Sequence, residues 1–494
     1  MNQIINRIKS GSAFFLHLLP VFFVLHGCME NYNIIPLQEA GILLLIYFFS
    51  GLLLFGLSWL IIRNPLRAQI FAAALLSIEF FFGAFIDFMR LQFPASLVSS
   101  YTFILPFLLA ILIALLVFLR RSNRPFIRLK VYLTTLLLLL ITFDLAQIGY
   151  KAASGNRDAA VQTDNIKVCD QCPKPDIYLI LADGYPGLIS LKDVFNMDNT
   201  PFLDSLRSRG FYVVDSSHSN YNFTPYSVSS MLNMDFLKGI RGFYNDKGDI
   251  SVCINTIKRN HAFKILTAYN YSIYNYSIFD FSDQPSMANA TFLPNKTSLL
   301  TEQTFTTRIQ NEIGYHLITN LHLDFFIRNV RMQSLKDNIL LTDETMKMVT
   351  RKTENPKFVY THLVMPHYPY YFDSSGHEIS YKVLSDTNHY NKKAFISYLY
   401  YCNRKLLELT DYIRKNATSP SVILLVSDHG FRELKEPVKP EYLFYNLNAV
   451  YLPDSNYNHF YTGMSNINQF SILFNTLFDQ QLPLLKDSTS LVLE

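Results

Sequence analysis

The chain has 494 residues, a net charge of +4 and 50% hydrophobic residues. The small net charge and the lack of an Arg/Lys run in the C-terminal part argue against nucleic-acid binding. The five cysteines are too few for a disulfide scaffold. The first third is almost wholly apolar, whereas the rest is typical of a soluble domain, so we predict a membrane part followed by a soluble part.

Five apolar stretches lie within residues 1–150, each close to the about 20 residues that cross a bilayer as a helix. They cover approximately residues 12–29, 40–62, 68–89, 100–119 and 131–149. The first is the shortest and contains His17 and His26. We predict a bundle of about five transmembrane helices over residues 1–150, with Cys28 in the first helix rather than at a lipoprotein cleavage site.

Basic residues occupy alternate loops of this part, which sets the expected orientation. One side carries Arg7, Lys9, Arg63, Arg67, Arg120, Arg121, Arg124, Arg128 and Lys130, and the other carries Glu30, Glu39 and Arg90. By the positive-inside rule the N-terminus is cytoplasmic. An odd number of spans then places everything after residue 150 outside the cytoplasmic membrane.

Three acidic residues fall inside the apolar stretches: Glu79 in mid-span, with Asp87 and Asp144 nearer the ends. An intramembrane carboxylate is a functional candidate by default. Glu79 could contact a lipid headgroup or bind a proton, or it could simply form a hydrogen bond with a neighbouring helix, and the sequence leaves these alternatives open.

Residues 151–174 are polar and predict a linker, in which Cys169 and Cys172 form either a structural disulfide or two spare thiols. Residues 175–494 alternate strands with helices, which predicts an α/β sandwich of mostly parallel strands. The strands are expected at 176–182, 211–214, 271–279, 357–364, 421–426 and 446–452. The helices are expected at 199–209, 256–269, 391–415 and 466–479, and over much of 299–352.

Two fully apolar strands end in side chains that can bind metal ions: Asp183 after the first, and Asp428 with His429 after the later one. Open α/β sheets place their sites at the carboxyl ends of their strands. Each group is followed by Gly, which allows a tight turn. Two carboxylates and an imidazole suit Zn²⁺ or Mn²⁺, with Mg²⁺ as an alternative.

Thr224 and Pro225 begin a predicted helix, with Thr224 expected at the N-cap. A hydroxyl there faces the positive end of the helix dipole, where a phosphoryl oxygen is also favoured. Coordination to a metal would lower the pKa of the hydroxyl and make Thr224 a nucleophile. The alternative is that Thr224 only caps the helix.

These pieces resemble the alkaline phosphatase superfamily, in particular its membrane-anchored sulfatase-like branch, which includes the lipoteichoic acid synthases and the phosphoethanolamine transferases. The resemblance covers nearly the whole chain in architecture and rests on short motifs, Ser427 to Gly430 being the most specific. It implies an extracytoplasmic metal-dependent catalytic domain. In that domain Thr224 carries a covalent phosphoryl intermediate, and Asp183, Thr224, Asp428 and His429 bind the metal.

The resemblance also implies roles in substrate binding. His367, in a His-x-Pro context, corresponds to a histidine that contacts the phosphoryl oxygens or protonates the leaving group. Asn275, Tyr276 and Asp280 fall where related enzymes bind the substrate headgroup. Arg432 could contact a phosphate. His218 and His362 are interpreted as structural.

Three departures from the family pattern refine the expectation. Sulfatases oxidise a Cys or Ser in a Cys/Ser-x-Pro-x-Arg pattern to formylglycine, and the run from Thr224 to Val228 does not fit that pattern, so this mechanism is not expected. No Asp-x-x-x-His pair is assigned to a second zinc, so one metal ion is expected. Arg432 and Glu433 stand where phosphoethanolamine transferases carry an acid and a His, so the headgroup stays undefined.

We therefore expect an enzyme that acts on a phosphodiester of a lipid, phospholipid or envelope glycan. The alternatives are a phosphate- or sulfate-ester hydrolase without transfer, and a non-catalytic binding or sensing module on the same fold.

Overall fold

The structure is a computed structural model. It describes residues 14–32, 35–94, 96–154, 166, 168–244, 246–281, 284–289, 297–314, 324–384, 389–434 and 437–493. The chain divides into two compact units, Met1–Ala160 with Pro294–Leu323, and Val161–Leu293 with Asp324–Glu494. Residues 294–323 thus group with the N-terminal helices, although the sequence suggested that they belong to the soluble domain. Arg7, Lys9 and half of the predicted linker, residues 155–165 and 167, lie outside the described residues.

The first unit consists mainly of apolar helices. They are α1 (Phe15–Glu30), α2 (Leu37–Ile62), α3 (Pro65–Gln92), α4 (Tyr101–Arg121) and α5 (Ile127–Ser154). Among the described residues, α2 to α5 are the four helices long and apolar enough to cross a membrane, and α1 is a shorter apolar helix. Large side chains such as Leu45, Phe49 and Leu53 are 57–65% exposed, as expected where lipid rather than protein surrounds a helix.

A segment late in the sequence completes the first unit. It contains α11 (Ser298–Thr301), α12 (Phe305–Ile309) and a π-helical turn at Gln310–Gly314. The backbone N–H of Gly83 in α3 donates to the carbonyl of Gln303 at 2.8 Å. A Cβ at Gly83 would lie 2.6 Å from that carbonyl oxygen, so only glycine permits this close approach.

The acidic residues of α3 bind this segment. Glu79 Oε2 accepts hydrogen bonds from the backbone N–H of Thr306 at 3.2 Å and from its hydroxyl at 2.8 Å. Asp87 pairs with Arg308, which also contacts Glu312 at 2.9 Å. These distances support the alternative in which Glu79 forms hydrogen bonds with a neighbouring helix. That helix is a short one within residues 297–314.

The second unit is an α/β domain. Its strands are β1 (Asp176–Ala182), β2 (Tyr212–Val213), β3 (Ser272–Tyr276), β4 (Lys357–Leu363), β5 (Ser421–Val426) and β6 (Asn448–Tyr451). Its main helices are α6 (Leu188–Phe195), α7 (Thr200–Arg207), α8 (Thr224–Asn233), α9 (Lys247–Lys258), α10 (His261–Ala268), α13 (Asp324–Arg331), α14 (Gln333–Thr350), α15 (Lys392–Asn416) and α16 (Gln469–Phe478).

The described strands form one six-stranded sheet in the order β2-β6-β5-β1-β4-β3. The four strands β5, β1, β4 and β3 are parallel, and β6 and β2 add an antiparallel edge. Every residue of β1, β4 and β5 is buried, which explains why these strands are apolar runs instead of alternating patterns. The prediction of an α/β domain with a mostly parallel sheet is confirmed.

Two local predictions can be compared with the structure. The single helix predicted at 256–269 is wrong: α9 ends at Lys258, and Asn260 caps α10 by accepting from the N–H of Phe263 at 2.8 Å. An Asn side chain favours such a cap over a helix interior because it competes for backbone hydrogen bonds. Cys169 and Cys172 form a disulfide, one of the two alternatives considered for this pair.

Candidate active site and metal-binding group

The predicted metal ligands follow two strands that are neighbours in the sheet. β1 and β5 are parallel, with Leu181 opposite Val426. Both strands therefore end at the same edge, and the next residues, Asp183 in one case and Asp428 with His429 in the other, meet there. This is the position at which open parallel sheets build their sites.

Asp183, Asp428 and His429 offer ligand atoms that lie within 4.8 Å of one another. His429 Nε2 is 3.4 Å from Asp428 Oδ2 and 3.8 Å from Asp183 Oδ1. Both carboxylates are 0% exposed and the imidazole is 1% exposed. The three side chains predicted from the sequence thus form one buried group.

Each carboxylate uses one oxygen for a hydrogen bond within the protein. Asp183 Oδ2 lies 3.2 Å from His362 Nε2, and Asp428 Oδ1 accepts from the backbone N–H of Gly184 at 3.0 Å. Among the described residues, no hydrogen-bond partner reaches Asp183 Oδ1 or Asp428 Oδ2. Two buried carboxylate oxygens without partners are costly, and their position beside His429 Nε2 suits a shared cation.

The imidazole of His429 is oriented for the same purpose. Its Nδ1 lies 2.6 Å from the carbonyl oxygen of Gly430, which requires Nδ1 to carry the hydrogen and leaves Nε2 with a lone pair towards the carboxylates. Burial lowers the pKa of His429, outweighing the attraction of Asp428. The neutral form, which is the metal-binding form, is thereby favoured.

Asp183 is held in its ionised form. Burial opposes ionisation, but the hydrogen bond with His362 and the nearby imidazoles of His367 and His429 outweigh burial, so the pKa of Asp183 is lowered. An ionised Asp183 and a neutral His429 are the forms that bind a divalent cation. The residues present therefore fit one divalent metal ion.

Thr224 begins α8 and joins this group. Its Oγ1 lies 3.2 Å from His429 Nε2, and the residue is 5% exposed. The N-cap position is taken by Phe223, and no side-chain capping bond is formed. The expectation that Thr224 is the N-cap residue is therefore wrong by one position. The alternative role of a simple cap is disfavoured, because the hydroxyl contacts His429.

The first turn of α8 is tied to the metal-binding loop. The hydroxyl of Ser227 donates to the backbone carbonyl of Asp428, and the hydroxyl of Ser427 accepts from the N–H of Tyr185 at 2.8 Å. These buried bonds connect α8, the loop after β5 and the loop after β1. The distance between the Thr224 hydroxyl and the metal-binding group is thus fixed by neighbouring contacts.

His367 lies beside the same group, in the loop after β4. A Cβ at Gly184, which has φ +66°, would be 3.7 Å from His367 Cδ2 and 3.5 Å from His429 Cε1. His367 Nδ1 is 2.7 Å from the carbonyl oxygen of Tyr368, which assigns the hydrogen to Nδ1. A small pocket is lined here by Gly184, His367, Tyr368, His429, Gly430, Phe431, Arg432 and Glu433.

Arg432 borders this pocket and reaches the residue before the predicted nucleophile. Its guanidinium carbon lies 4.1 Å from the centre of the Phe223 ring, which itself stacks on Tyr244 at 4.2 Å. The Nε of Arg432 is buried, and within the described part of the chain it has no hydrogen-bond partner. A cation placed here suits an anionic ligand next to Thr224.

The three residues predicted to bind the headgroup lie on β3, the last strand in the sheet order, and in the loop after it. The side-chain amide of Asn275 donates to the carbonyls of Phe279 and Gln284 at 2.8 and 3.0 Å. Asp280 accepts from the N–H of Ser286 at 2.8 Å, and Tyr276 is 7% exposed. These contacts organise the loop itself, and the structure does not bring the three residues into the group around Thr224.

His362 was named from the sequence, but as a structural residue without a link to the site. It lies in β4, opposite Leu181 of β1, and its hydrogen bond to Asp183 makes it part of the site. Tyr360 OH lies 3.1 Å from His362 Nδ1. Burial and the charges of the two aspartates raise the pKa of Tyr360, so this hydroxyl stays protonated and donates. The available signal was a His near the carboxyl end of a predicted strand.

Comparisons with known proteins return solved structures only. No protein-family model matches the chain, and no curated protein matches it. One similar structure is the full-length integral membrane lipooligosaccharide phosphoethanolamine transferase A from Neisseria meningitidis, with 11% identity, a TM-score of 0.39, and coverage of 97% of this chain and 96% of that one.

Two further structures match the second part of the chain. The periplasmic domain of phosphoethanolamine transferase EptC from Campylobacter jejuni has 14% identity and a TM-score of 0.37, covering 65% of this chain and 94% of that one. The phosphonate monoester hydrolase of Agrobacterium radiobacter has 12% identity and a TM-score of 0.38, covering 62% and 74%. Phosphoethanolamine transferases are among the enzymes that the sequence motifs resemble.

Proposed function

We propose that this protein is a membrane-bound, metal-dependent enzyme that transfers or hydrolyses a phosphoryl group of a phosphodiester, with Thr224 as the nucleophile. The observation that carries the proposal is the convergence of the Thr224 hydroxyl with the buried group of Asp183, Asp428 and His429. Three separate chain segments supply these atoms. A structural role alone would not explain why two carboxylate oxygens lie there without hydrogen-bond partners.

Asp183, Asp428 and His429, with Thr224 as a fourth ligand, would hold one divalent ion, Zn²⁺ or Mn²⁺, with Mg²⁺ as the alternative. When bound, such an ion lowers the pKa of the hydroxyl and neutralises charge on the phosphoryl oxygens. The position of Thr224 in the first turn of α8 adds the positive end of the helix dipole.

The protein's own groups account for the bond changes. The Oγ of Thr224 attacks phosphorus, and the bond from phosphorus to the leaving oxygen breaks. In sum, the Thr224 hydroxyl loses a proton and the leaving oxygen gains one. His367 is assigned as the group that donates a proton to the leaving oxygen. An acceptor alcohol or water then attacks the Thr-linked phosphoryl group, and the bond from phosphorus to the Thr224 oxygen breaks. In sum, the acceptor loses a proton, which His367 is assigned to accept, and the Thr224 oxygen regains one, so the hydroxyl is restored. Arg432 binds phosphoryl oxygens beside Phe223.

The substrate class follows from the membrane part. An enzyme carried by membrane helices is suited to a donor or acceptor that is itself a lipid or an envelope glycan. The distribution of basic loop residues supports a multi-pass protein of the cytoplasmic membrane, with its N-terminus inside and the unit that contains Thr224 outside. A hydrolase without transfer, including a sulfate-ester hydrolase, uses the same group of residues and differs only in the acceptor or the ester.

The proposal is tested with the full-length protein purified in detergent. Metal content is measured by mass spectrometry, and turnover is measured with a chromogenic phosphodiester at saturating Mn²⁺ or Zn²⁺. The reaction is also quenched with acid, and a phosphorylated Thr224 peptide is sought. We expect Thr224→Ala to abolish turnover and the phosphopeptide, while Asp428→Asn removes the bound metal. An added alcohol that increases turnover would identify a transferase.

The chain offers a matched control for Thr224. Thr200 and Pro201 begin α7 with the same Thr-Pro pair, but the Thr200 hydroxyl bonds Asp198 at 2.6 Å. Thr200→Ala should therefore keep full activity. Equal turnover in wild type and Thr224→Ala would exclude Thr224 as the nucleophile. A folded protein without metal or turnover would favour the binding or sensing module.

A further inference from the structure

The loop between α4 and α5 concentrates positive charge at one end of these two apolar helices. Its basic side chains, counted with those at the adjoining helix ends, are Arg120, Arg121, Arg124, Arg128 and Lys130. No Asp or Glu occurs between Asp87 and Asp144. The four arginines are exposed, and within the described part of the chain none of them forms an ion pair. This unbalanced positive charge suits an anionic ligand.

Two of the arginines border an open cavity at the end of α4. The cavity has a volume of about 740 Å³, within the about 300–1,000 Å³ of typical ligand pockets. Arg121 and Arg124 line it together with Val117 and Phe118, which are 43% and 49% exposed. The hydroxyl of Ser122 accepts from the backbone N–H of Arg124 at 3.2 Å and stabilises the turn between the two arginines. Guanidinium groups and exposed apolar side chains therefore line the same cavity.

Stabilisation of the helices does not explain all of these cations. A cation is favourable near the C-terminus of a helix and unfavourable near its N-terminus. Arg120 and Arg121 end α4, where the helix dipole favours them, but Arg128 lies in the first turn of α5, where the dipole opposes its charge. An anion bound from outside the protein would offset that unfavourable interaction.

The length of α4 places the cavity at the depth of lipid headgroups. The helix has 21 residues, which at about 1.5 Å per residue span about 31 Å, close to the about 30 Å of the hydrocarbon core of a bilayer. Arg120 and Arg121, at its end, therefore fall at the interface between membrane and water. Val117 and Phe118 lie about one turn deeper, where acyl chains begin.

We infer that Arg121 and Arg124, together with Val117 and Phe118, form a binding site for an anionic phospholipid. The planar guanidinium groups suit the phosphate oxygens of its headgroup, and the two apolar side chains suit the first part of its acyl chains. This apolar contact favours a lipid over a soluble phosphate compound. The site belongs to the unit of apolar helices and does not depend on the chemistry at Thr224.

The inference is tested with the purified full-length protein in a mild detergent. Native mass spectrometry measures the Kd of phosphatidylglycerol and of phosphatidylcholine with the same acyl chains, and phosphatidylglycerol should bind more tightly. Arg121→Gln with Arg124→Gln should weaken its binding about 10–30-fold, since each basic side chain near anionic lipid contributes about fivefold. Val117→Asn keeps every charge and should also weaken it. Glycerol 1-phosphate, which lacks acyl chains, should not displace the lipid.

The matched control is Arg63→Gln with Arg67→Gln, which removes two positive charges from the loop between α2 and α3. This variant should bind phosphatidylglycerol as the wild type does. Equal weakening by the two double variants would show only the general attraction of basic loops to anionic lipid, and it would overturn the inference. An equal Kd for the two lipids, or displacement by glycerol 1-phosphate, would also overturn it. An unchanged Kd for phosphatidylcholine in each variant shows that the variant is folded.

Discussion

Replacing His362 by Phe removes the hydrogen bond to Asp183 Oδ2, which is 3.2 Å long and fully buried. The Phe ring keeps most of the volume and can still pack on Phe279, whose ring centre is 5.8 Å from that of His362. A hydrogen bond to a charged group contributes about 1.5–3 kcal/mol. Loss of a group that orients a metal ligand weakens metal binding about 10–100-fold, which corresponds to about 1.4–2.7 kcal/mol. The two estimates agree.

The assay for this prediction is a competition between the purified protein and a fluorescent chelator, which gives the Kd for Zn²⁺ or Mn²⁺. His362→Gln keeps an N–H donor and should recover part of the affinity. His218→Phe is the matched control, because within the described part of the chain the His218 ring makes a long 3.5 Å contact with the Ser216 carbonyl and no contact with the metal-binding group. An unchanged Kd in His362→Phe would refute the reasoning that Asp183 depends on this donor.

The pH dependence of metal binding provides a second measurement of the same effect. The pKa of Asp183 is lowered, with His362 as the principal cause that opposes burial. Its ionised form therefore contributes stability above the ordinary pKa of about 4 and loses that contribution only as the pH falls through the lowered value. Without His362 the pKa rises. The variant should consequently release metal at a higher pH than the wild type does during acid titration.

Three further predictions concern other positions. Gly184→Ala should cost about 1–2 kcal/mol of stability, because φ is +66° there, a backbone conformation that L side chains rarely adopt. Chemical denaturation with metal present measures this cost, and an unchanged midpoint would contradict the prediction. Glu79→Gln should leave turnover unchanged, whereas a loss of turnover would indicate proton or headgroup binding by that carboxylate. Lys357→Met should destabilise the protein by about 3–5 kcal/mol, because it leaves the buried carboxylate of Asp176, 3.2 Å from the Lys357 ammonium, without its cation. The double variant Lys357→Met with Asp176→Asn should be less destabilised. Equal free energies of unfolding for the single and double variants would contradict the pairing argument.

The sequence alone determined the class of each part of the fold. A helix that crosses a membrane and a strand buried on both faces each need a continuous apolar run, and runs of this kind are visible without any tertiary information. Asp183, Asp428 and His429 could be predicted for the same reason. These residues directly follow two such strands, and the carboxyl ends of parallel strands in one sheet lie at the same edge.

Tertiary structure alone decided how the site is completed. His362 supports Asp183 because β4, more than 170 residues away in sequence, lies next to β1, and strand order cannot be read from local patterns. Asn275 and Asp280 belong to a strand at the end of the sheet order and to its loop, where their hydrogen bonds are satisfied locally. The partner of Glu79 is a helix more than 200 residues away. Apolar runs are encoded by neighbouring residues, whereas the pairing of buried polar groups depends on which distant segments the fold brings together.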